Sequence, residues 1–134
     1  MLAATLALAS CGGDDESEPP APAATGGIEL TLRSDSGAGR VSTGELTCRS
    51  GEQRATGDLV GRAPVTRLCR DARAVAPLLT GKGPARRVCT QVYGGPQTAR
   101  ITGAIDGRDV DRTFKRTNGC EIEQYARIAK ILPR

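Results

Sequence analysis

Apolar and polar residues alternate regularly from position 28 onwards, and the period of this pattern predicts the elements of the fold. Residues 28–32 alternate apolar with polar side chains, which is typical of a strand with one buried face. Residues 45–48, Glu-Leu-Thr-Cys, predict a second strand, and residues 34–44 between the two have the composition of a turn. The polar, glycine-rich residues 50–63 predict a surface loop.

The middle of the chain has a helical period instead. Leu68, Ala72, Val75 and Leu79 recur at intervals of three or four residues, which predicts an amphipathic helix. Thr66 is placed to cap the start of this helix.

The C-terminal third predicts a hairpin followed by a second helix. Strands at 98–105 and 108–115 flank Asp106-Gly107, a strong short-range hairpin signal. Asn118 and Glu121 have capping-box spacing. Apolar residues then follow at helical spacing: Ile122, Tyr125, Ile128 or Ala129, and Leu132. The order ββαββα predicts an α+β fold, with an antiparallel β-sheet and two helices.

The N-terminal residues lack this periodicity and predict two further segments. Residues 1–10 form a short apolar run that ends in small residues before Cys11, which resembles a bacterial lipoprotein signal with Cys11 as the acylated residue. The alternative is an ordinary signal peptide followed by a stray cysteine. Residues 11–27 are acidic and proline-rich, which predicts a disordered linker. The folded domain is therefore expected to span residues 28–134.

Charge and composition exclude several classes of function. Four of the 15 acidic residues lie at positions 14–18, which leaves 11 against 19 basic residues and a net charge of +8 for the rest of the chain. The absence of histidine removes the commonest general base and metal ligand, so we expect no enzyme, metal site or cofactor. Only three aromatic residues are present, too few for the base stacking of many nucleic-acid binders, so we expect no nucleic-acid partner.

The five cysteines divide into one and four. Cys11 is distant from Cys48, Cys69, Cys89 and Cys120, which all lie in the predicted domain. No Cys-x-x-Cys spacing occurs, so a zinc site is a poor interpretation. An even set in a small domain predicts two disulfides and an extracytoplasmic location, while spacing alone leaves three pairings open.

Two short segments carry a family resemblance. Residues 88–93 read Val-Cys-Thr-Gln-Val-Tyr, and residues 117–121 read Thr-Asn-Gly-Cys-Glu. They resemble the Streptomyces subtilisin inhibitor family, whose reactive loop reads Cys-Pro-X-Val-Tyr and whose later segment reads Ser-Asn-Glu-Cys-Glu. Three further matches are Thr-Cys at 47–48, Cys-Arg-Asp-Ala-Arg-Ala-Val at 69–75, and the hairpin at 106–110. The resemblance covers roughly residues 28–121.

The resemblance implies a substrate-like inhibitor of serine proteases that offers the Gln91–Val92 bond to the protease nucleophile. The other residues implied to contact the protease are Val88, Thr90 and Tyr93. A neutral Gln91 in the specificity pocket argues against strictly trypsin-like targets, and subtilisin-like enzymes are favoured. Arg86-Arg87 offers an alternative, trypsin-like cleavage point.

The family pattern further implies that Asn118 supports the loop backbone from behind. The disulfides are expected to be Cys48–Cys69 and Cys89–Cys120. The partners expected are an extracellular serine protease and the membrane, reached through a lipid on Cys11, and a homodimer is a further candidate. The protein is thus expected to be extracytoplasmic, either lipid-anchored or secreted.

Three departures from the family pattern accompany the match. Thr90 replaces the usual proline, Gly94-Gly95-Pro96 replaces an Asp-Pro pair, and Gly119 replaces an acid. The segment after Glu121 also lacks the family's strand-forming tail. Thr90 and the glycines favour an alternative function, a non-inhibitory interaction domain on the same fold that binds an envelope partner.

Overall fold

The computed structural model describes residues 26–81 and 87–134. In these residues five strands form an antiparallel sheet: β1 (Gly27–Asp35), β2 (Val41–Arg49), β3 (Glu52–Ala55), β4 (Thr98–Ile105) and β5 (Arg108–Phe114). The two α-helices are α1 (Val65–Thr80) and α2 (Gly119–Ile128). The strand order is β3-β2-β1-β4-β5, with every neighbouring pair antiparallel. The predicted α+β fold is confirmed.

The period-two pattern places one face of the sheet in the core. β1 buries Ile28, Leu30 and Leu32 and leaves the residues between them exposed. Leu30 pairs with Leu46 of β2, and Leu32 pairs with Ile101 of β4, so these apolar side chains share one face. Burial of each such side chain stabilises the fold by roughly 1.5–3 kcal/mol. The buried residues of both helices belong to the same cluster, so one core lies between the sheet and the helices.

Two predictions for the N-terminal half were wrong. β2 begins at Val41, inside the predicted turn, and β3 occupies part of the predicted surface loop. Ser42 and Gly44, which were predicted to lie in a turn, are buried on the inner face of β2. A Cβ on Gly44 would lie 2.7 Å from Leu59, so the Leu59 side chain occupies that space. The small inner-face residues therefore hid the start of β2 from the apolar pattern.

The two helix starts differ from each other. The prediction that Thr66 caps α1 was wrong, because the helix begins at Val65 after Pro64, whose carbonyl accepts the first helical hydrogen bonds. Asn118 does cap α2, since its Oδ1 accepts a hydrogen bond from the Glu121 amide at 3.0 Å.

The second helix ends earlier than its apolar spacing predicted. α2 stops at Ile128, and Ile131 and Leu132 are buried in a non-helical tail instead. The Arg62 guanidinium fastens this tail, because it donates to the carbonyl oxygens of Leu132 and Ala129.

Both expected disulfides are present. Cys48–Cys69 joins β2 to α1, and Cys89–Cys120 joins the segment before β4 to α2. Loops closed over 21 and 31 residues stabilise a fold by about 3–4 kcal/mol each in the chain-entropy account. Because disulfides persist in oxidising compartments, they indicate an extracytoplasmic location.

Residues 1–25 lie outside the described part of the chain, so the signal segment, Cys11 and most of the predicted linker stay predictions. Arg86 also lies outside it. Among residues 26–81 and 87–134, neither helix has the length and apolar character needed to cross a bilayer.

Candidate functional site

Residues 87–97, called here the exposed loop, run towards β4 without forming a helix or a strand. Val88 is fully exposed, Val92 is 56% exposed and Tyr93 is 66% exposed. These are three of the five large apolar side chains exposed in the described part of the chain. Apolar side chains concentrated on one exposed segment make it a candidate interaction surface.

The N-terminal side of the exposed loop is attached to the start of α2 by two contacts. Cys89 forms its disulfide with Cys120, in the first turn of the helix. One residue further along, the Thr90 carbonyl accepts a hydrogen bond from the Gly119 amide at 2.9 Å. A covalent and a main-chain contact therefore act on neighbouring residues.

The C-terminal side of the exposed loop is attached to the segment just before α2. The Gly94 amide donates to the Arg116 carbonyl at 2.7 Å. Gln91, Val92 and Tyr93 lie between the two attachments and are all exposed. The Gln91–Val92 bond is thus presented to solvent between two points fixed on residues 116–120.

Two glycines permit this close approach. A Cβ on Gly119 would lie 2.0 Å from the Thr90 hydroxyl oxygen, and a Cβ on Gly94 would lie 2.6 Å from the Ile122 side chain. Real Cβ contacts are essentially never this short. The departures at positions 90 and 119 therefore share a structural explanation, since Thr90 occupies the space that a side chain at position 119 would need, whereas Gly94 leaves room for Ile122.

Asn118 lies between the two attachment points at the N-cap of α2. Its side chain accepts from Glu121, and no hydrogen bond joins it to the exposed loop among the described residues. Its role as a loop support stays a prediction.

Glu121 further fixes the segment that carries the loop. Its carboxylate accepts hydrogen bonds from the Thr117 hydroxyl and from the Thr117 amide, the latter at 2.8 Å. These hydrogen bonds, together with the charge of Lys115, lower the pKa of the Glu121 carboxyl. The predicted capping box is therefore modified, because Glu121 bonds Thr117 and not the amide of Asn118.

Arg116 is a site residue that the sequence pattern did not reveal. Besides its carbonyl contact with the loop, its guanidinium donates to Gln97 Oε1 at 2.8 Å and lies over the Tyr125 ring, 5.7 Å from the centroid. Such a cation–π contact is favourable by about 0.5–1 kcal/mol at exposed sites. Partial burial raises the pKa of the Tyr125 phenol, against the opposing effect of Arg116. No local signal distinguishes Arg116 from other arginines in the sequence.

The Cys48–Cys69 disulfide lies at the end of the sheet opposite to the exposed loop. Cys48 pairs with Ile28 at the start of β1, whereas the exposed loop enters β4 at Thr98, which pairs with Asp35 at the end of β1. Cys48–Cys69 therefore links the sheet to α1 and does not contact the exposed loop. Within residues 26–81 and 87–134, no group of three or more potential metal-ligating side chains is assembled.

The predicted site residues therefore divide by position. The loop residues, Asn118 and the Cys89–Cys120 disulfide come together at one end of the sheet, while Cys11 lies outside the described residues. No protein-family model matches this chain, and a search of curated proteins finds no match.

Proposed function

We propose that this protein is a substrate-like inhibitor of serine proteases, of the Streptomyces subtilisin inhibitor type, and that Gln91–Val92 is its reactive bond. The observation that supports the proposal is the attachment of both sides of this bond to residues 116–120. Cys89 attaches the side that would form the acyl-enzyme. Gly94, with β4 beyond it, attaches the side that would leave as an amine.

The chemistry follows from these attachments. The protease nucleophile attacks the Gln91 carbonyl, the peptide bond breaks, and the Val92 nitrogen becomes a free amine while Gln91 is esterified to the enzyme. Because both fragments stay fixed to one segment, the amine remains close to the acyl carbon. Attack of that amine reforms the peptide bond and competes with hydrolysis by water.

Tight binding requires that the loop lose little freedom when it meets the enzyme. An exposed segment adds to the edge of a protease cleft through main-chain hydrogen bonds and side-chain pockets. The disulfide and the two main-chain hydrogen bonds order the loop beforehand, so less conformational entropy is lost on association. The ordered loop also holds the leaving amine near the acyl carbon after cleavage, so the amine can compete with water.

The side chains on the loop favour a subtilisin-like target. Gln91 is exposed and uncharged, so it does not supply the positive charge that a trypsin-like pocket pairs with its aspartate. Val88 projects fully into solvent and suits a secondary apolar pocket. Because the whole chain lacks histidine, the proposal includes no catalytic activity of its own.

The proposal also includes a lipid on Cys11, which would hold the protein at the outer surface of the cell membrane. Acyl chains stabilise membrane attachment by about 0.8 kcal/mol per buried methylene, so more than one chain retains a protein at the bilayer. Cys11→Ser should move the protein from the membrane fraction to the soluble fraction, as measured by fractionation and immunoblotting. Unchanged membrane partitioning would contradict the anchor while leaving inhibition untouched.

The inhibition itself is tested by titrating the purified protein against a subtilisin and a trypsin and measuring residual activity. We expect stoichiometric inhibition of the subtilisin and slow nicking that yields a new N-terminus at Val92. An absence of inhibition at micromolar concentration, or rapid cleavage at another bond, would favour the non-inhibitory envelope-binding domain instead.

A further inference from the structure

A groove of about 270 Å³ opens at the end of the sheet where the exposed loop enters β4. It lies between the turn that joins β1 to β2 and the non-helical tail after α2. This groove is called here the tail groove, and its lining includes Arg40, Ser42, Gln97, Tyr125, Leu132 and Pro133.

The walls of the tail groove are apolar, and its floor carries an unused polar group. Tyr125, Leu132 and Pro133 supply a ring and two aliphatic side chains. Ser42 is only 6% exposed, and its hydroxyl makes no hydrogen bond among the described residues. Every fully enclosed polar side-chain atom in the described part of the chain has a hydrogen-bond partner. Because the Ser42 hydroxyl has none, it is not fully enclosed, and we infer that it opens into the groove.

The neighbouring serine shows why this hydroxyl stands out. Ser34 pairs with Ser42 across β1 and β2, and its own hydroxyl donates to the Pro133 carbonyl at 2.6 Å. Ser34 is therefore satisfied by the tail, whereas Ser42 is not. A ligand that displaces water from the Ser42 hydroxyl must hydrogen-bond it in turn, because a hydroxyl that is buried without a partner is unfavourable.

The side chains that line the tail groove carry two positive charges, from Arg40 and Arg134, and one negative charge, from Asp35. Arg40 is exposed and forms no ion pair with the acidic residues described. The Asp35 carboxylate accepts a hydrogen bond from the Gly37 amide of its own turn at 2.8 Å and forms no ion pair with Arg40. An arginine presents a planar fork of donors that suits a carboxylate.

We propose that the tail groove binds a small carboxylic acid with an aromatic or branched aliphatic body. The carboxylate contacts Arg40 and the apolar body packs on Tyr125 and Leu132. A polar substituent or edge of the ligand reaches Ser42. A cavity of about 150 Å³ accommodates benzene, so 270 Å³ is sufficient for a substituted ring. This inference is independent of protease inhibition.

The test is a titration of the isotopically labelled full chain, followed by ¹H–¹⁵N correlation spectra, with three probes. 3-Phenylpropionate carries both the ring and the charge, 3-phenylpropan-1-ol carries the ring alone, and acetate carries the charge alone. We expect saturable shifts at Ser42, Gln97 and Tyr125 with the phenyl acid in the millimolar range. The alcohol should bind about fivefold more weakly, as loss of one exposed charge contact implies, and acetate should not saturate.

Two exposed arginines provide the variant and its matched control. Arg40→Gln should abolish the difference between the acid and the alcohol, while Arg33→Gln, on the open face of the sheet, should preserve it. Both changes are at exposed positions, and the dispersion of the spectra verifies folding. Equal affinity for acid and alcohol, shifts that do not saturate or that lie elsewhere, or equal losses in the two variants would overturn the proposal.

Discussion

Gly119→Ala is the most informative change at the attachment of the exposed loop. The new methyl would lie 2.0 Å from the Thr90 hydroxyl oxygen, but 3.4 Å from Thr90 Cβ. Gly119 does not have a positive φ, so alanine is tolerated by the backbone and the contact with Thr90 is the main obstacle. Removing the hydroxyl with Thr90→Ala should therefore relieve the clash.

The magnitude follows from two opposing terms. Overpacking costs about 1–3 kcal/mol, while alanine in place of glycine in a helix recovers up to about 1 kcal/mol. Gly119→Ala alone should destabilise the protein by about 1 kcal/mol net or displace Thr90 and the loop. In the Thr90→Ala background the same change should be neutral or stabilising, which gives a coupling free energy of about 1–3 kcal/mol between the two positions.

The assay is urea unfolding of the four proteins of this cycle with both disulfides intact, alongside the rate of loop nicking by a subtilisin. Nicking should be fastest in Gly119→Ala, because displacement of the loop weakens the hydrogen bond between Gly119 and Thr90. A coupling free energy below about 0.5 kcal/mol, with unchanged nicking, would show that this contact does not position the loop.

Three further predictions concern specificity, the disulfide and pH. Gln91→Lys should increase inhibition of trypsin at least tenfold while leaving the unfolding free energy unchanged; equal inhibition constants before and after would contradict Gln91 as the specificity residue. Replacing Cys89 and Cys120 together by serine should destabilise the protein by about 3–4 kcal/mol and convert it from an inhibitor into a substrate that is cut to completion, a result that gel analysis of the digest can refute. A hydrogen bond from Arg73 lowers the pKa of the Asp106 carboxyl; this contribution is present above the ordinary aspartate pKa and is lost as pH falls through the folded-state pKa. Asp106→Asn should therefore lower stability near pH 7 but not at strongly acidic pH, and a pH-independent difference in unfolding midpoint would contradict the assignment.

Features with a local signal were predictable from the sequence. β1 and β4 follow from period-two patterning, and the turn at Asp106 from its Asp-Gly signal. The cap at Asn118 depends on residues only three apart. The four cysteines of the domain predicted two disulfides. Their spacing left three pairings open, and the expected pairing was stated only with the family resemblance. Signals of this kind are visible because neighbours in sequence are also neighbours in space.

Only the tertiary structure decided how the exposed loop is attached. The contacts of Thr90 with Gly119 and of Gly94 with Arg116 join residues that are distant in sequence, through main-chain atoms that every residue possesses. Residue type therefore carries no signal for these hydrogen bonds. The sequence instead shows their steric consequence, which is glycine at positions 94 and 119. These glycines look like departures from a family pattern until the packing of Gly119 on Thr90 and of Gly94 on Ile122 is seen.

The inner face of β2 and the tail groove were likewise decided by tertiary packing. Ser42 and Gly44 look like turn residues in sequence, because their burial depends on β1, Leu59 and the tail after α2 folding over them. Burial is a property of what surrounds a side chain, whereas periodicity records only the chemistry of the side chain itself. The sequence alone thus determined the elements and the candidate loop, and the packing of distant segments determined which small residues are required where they meet.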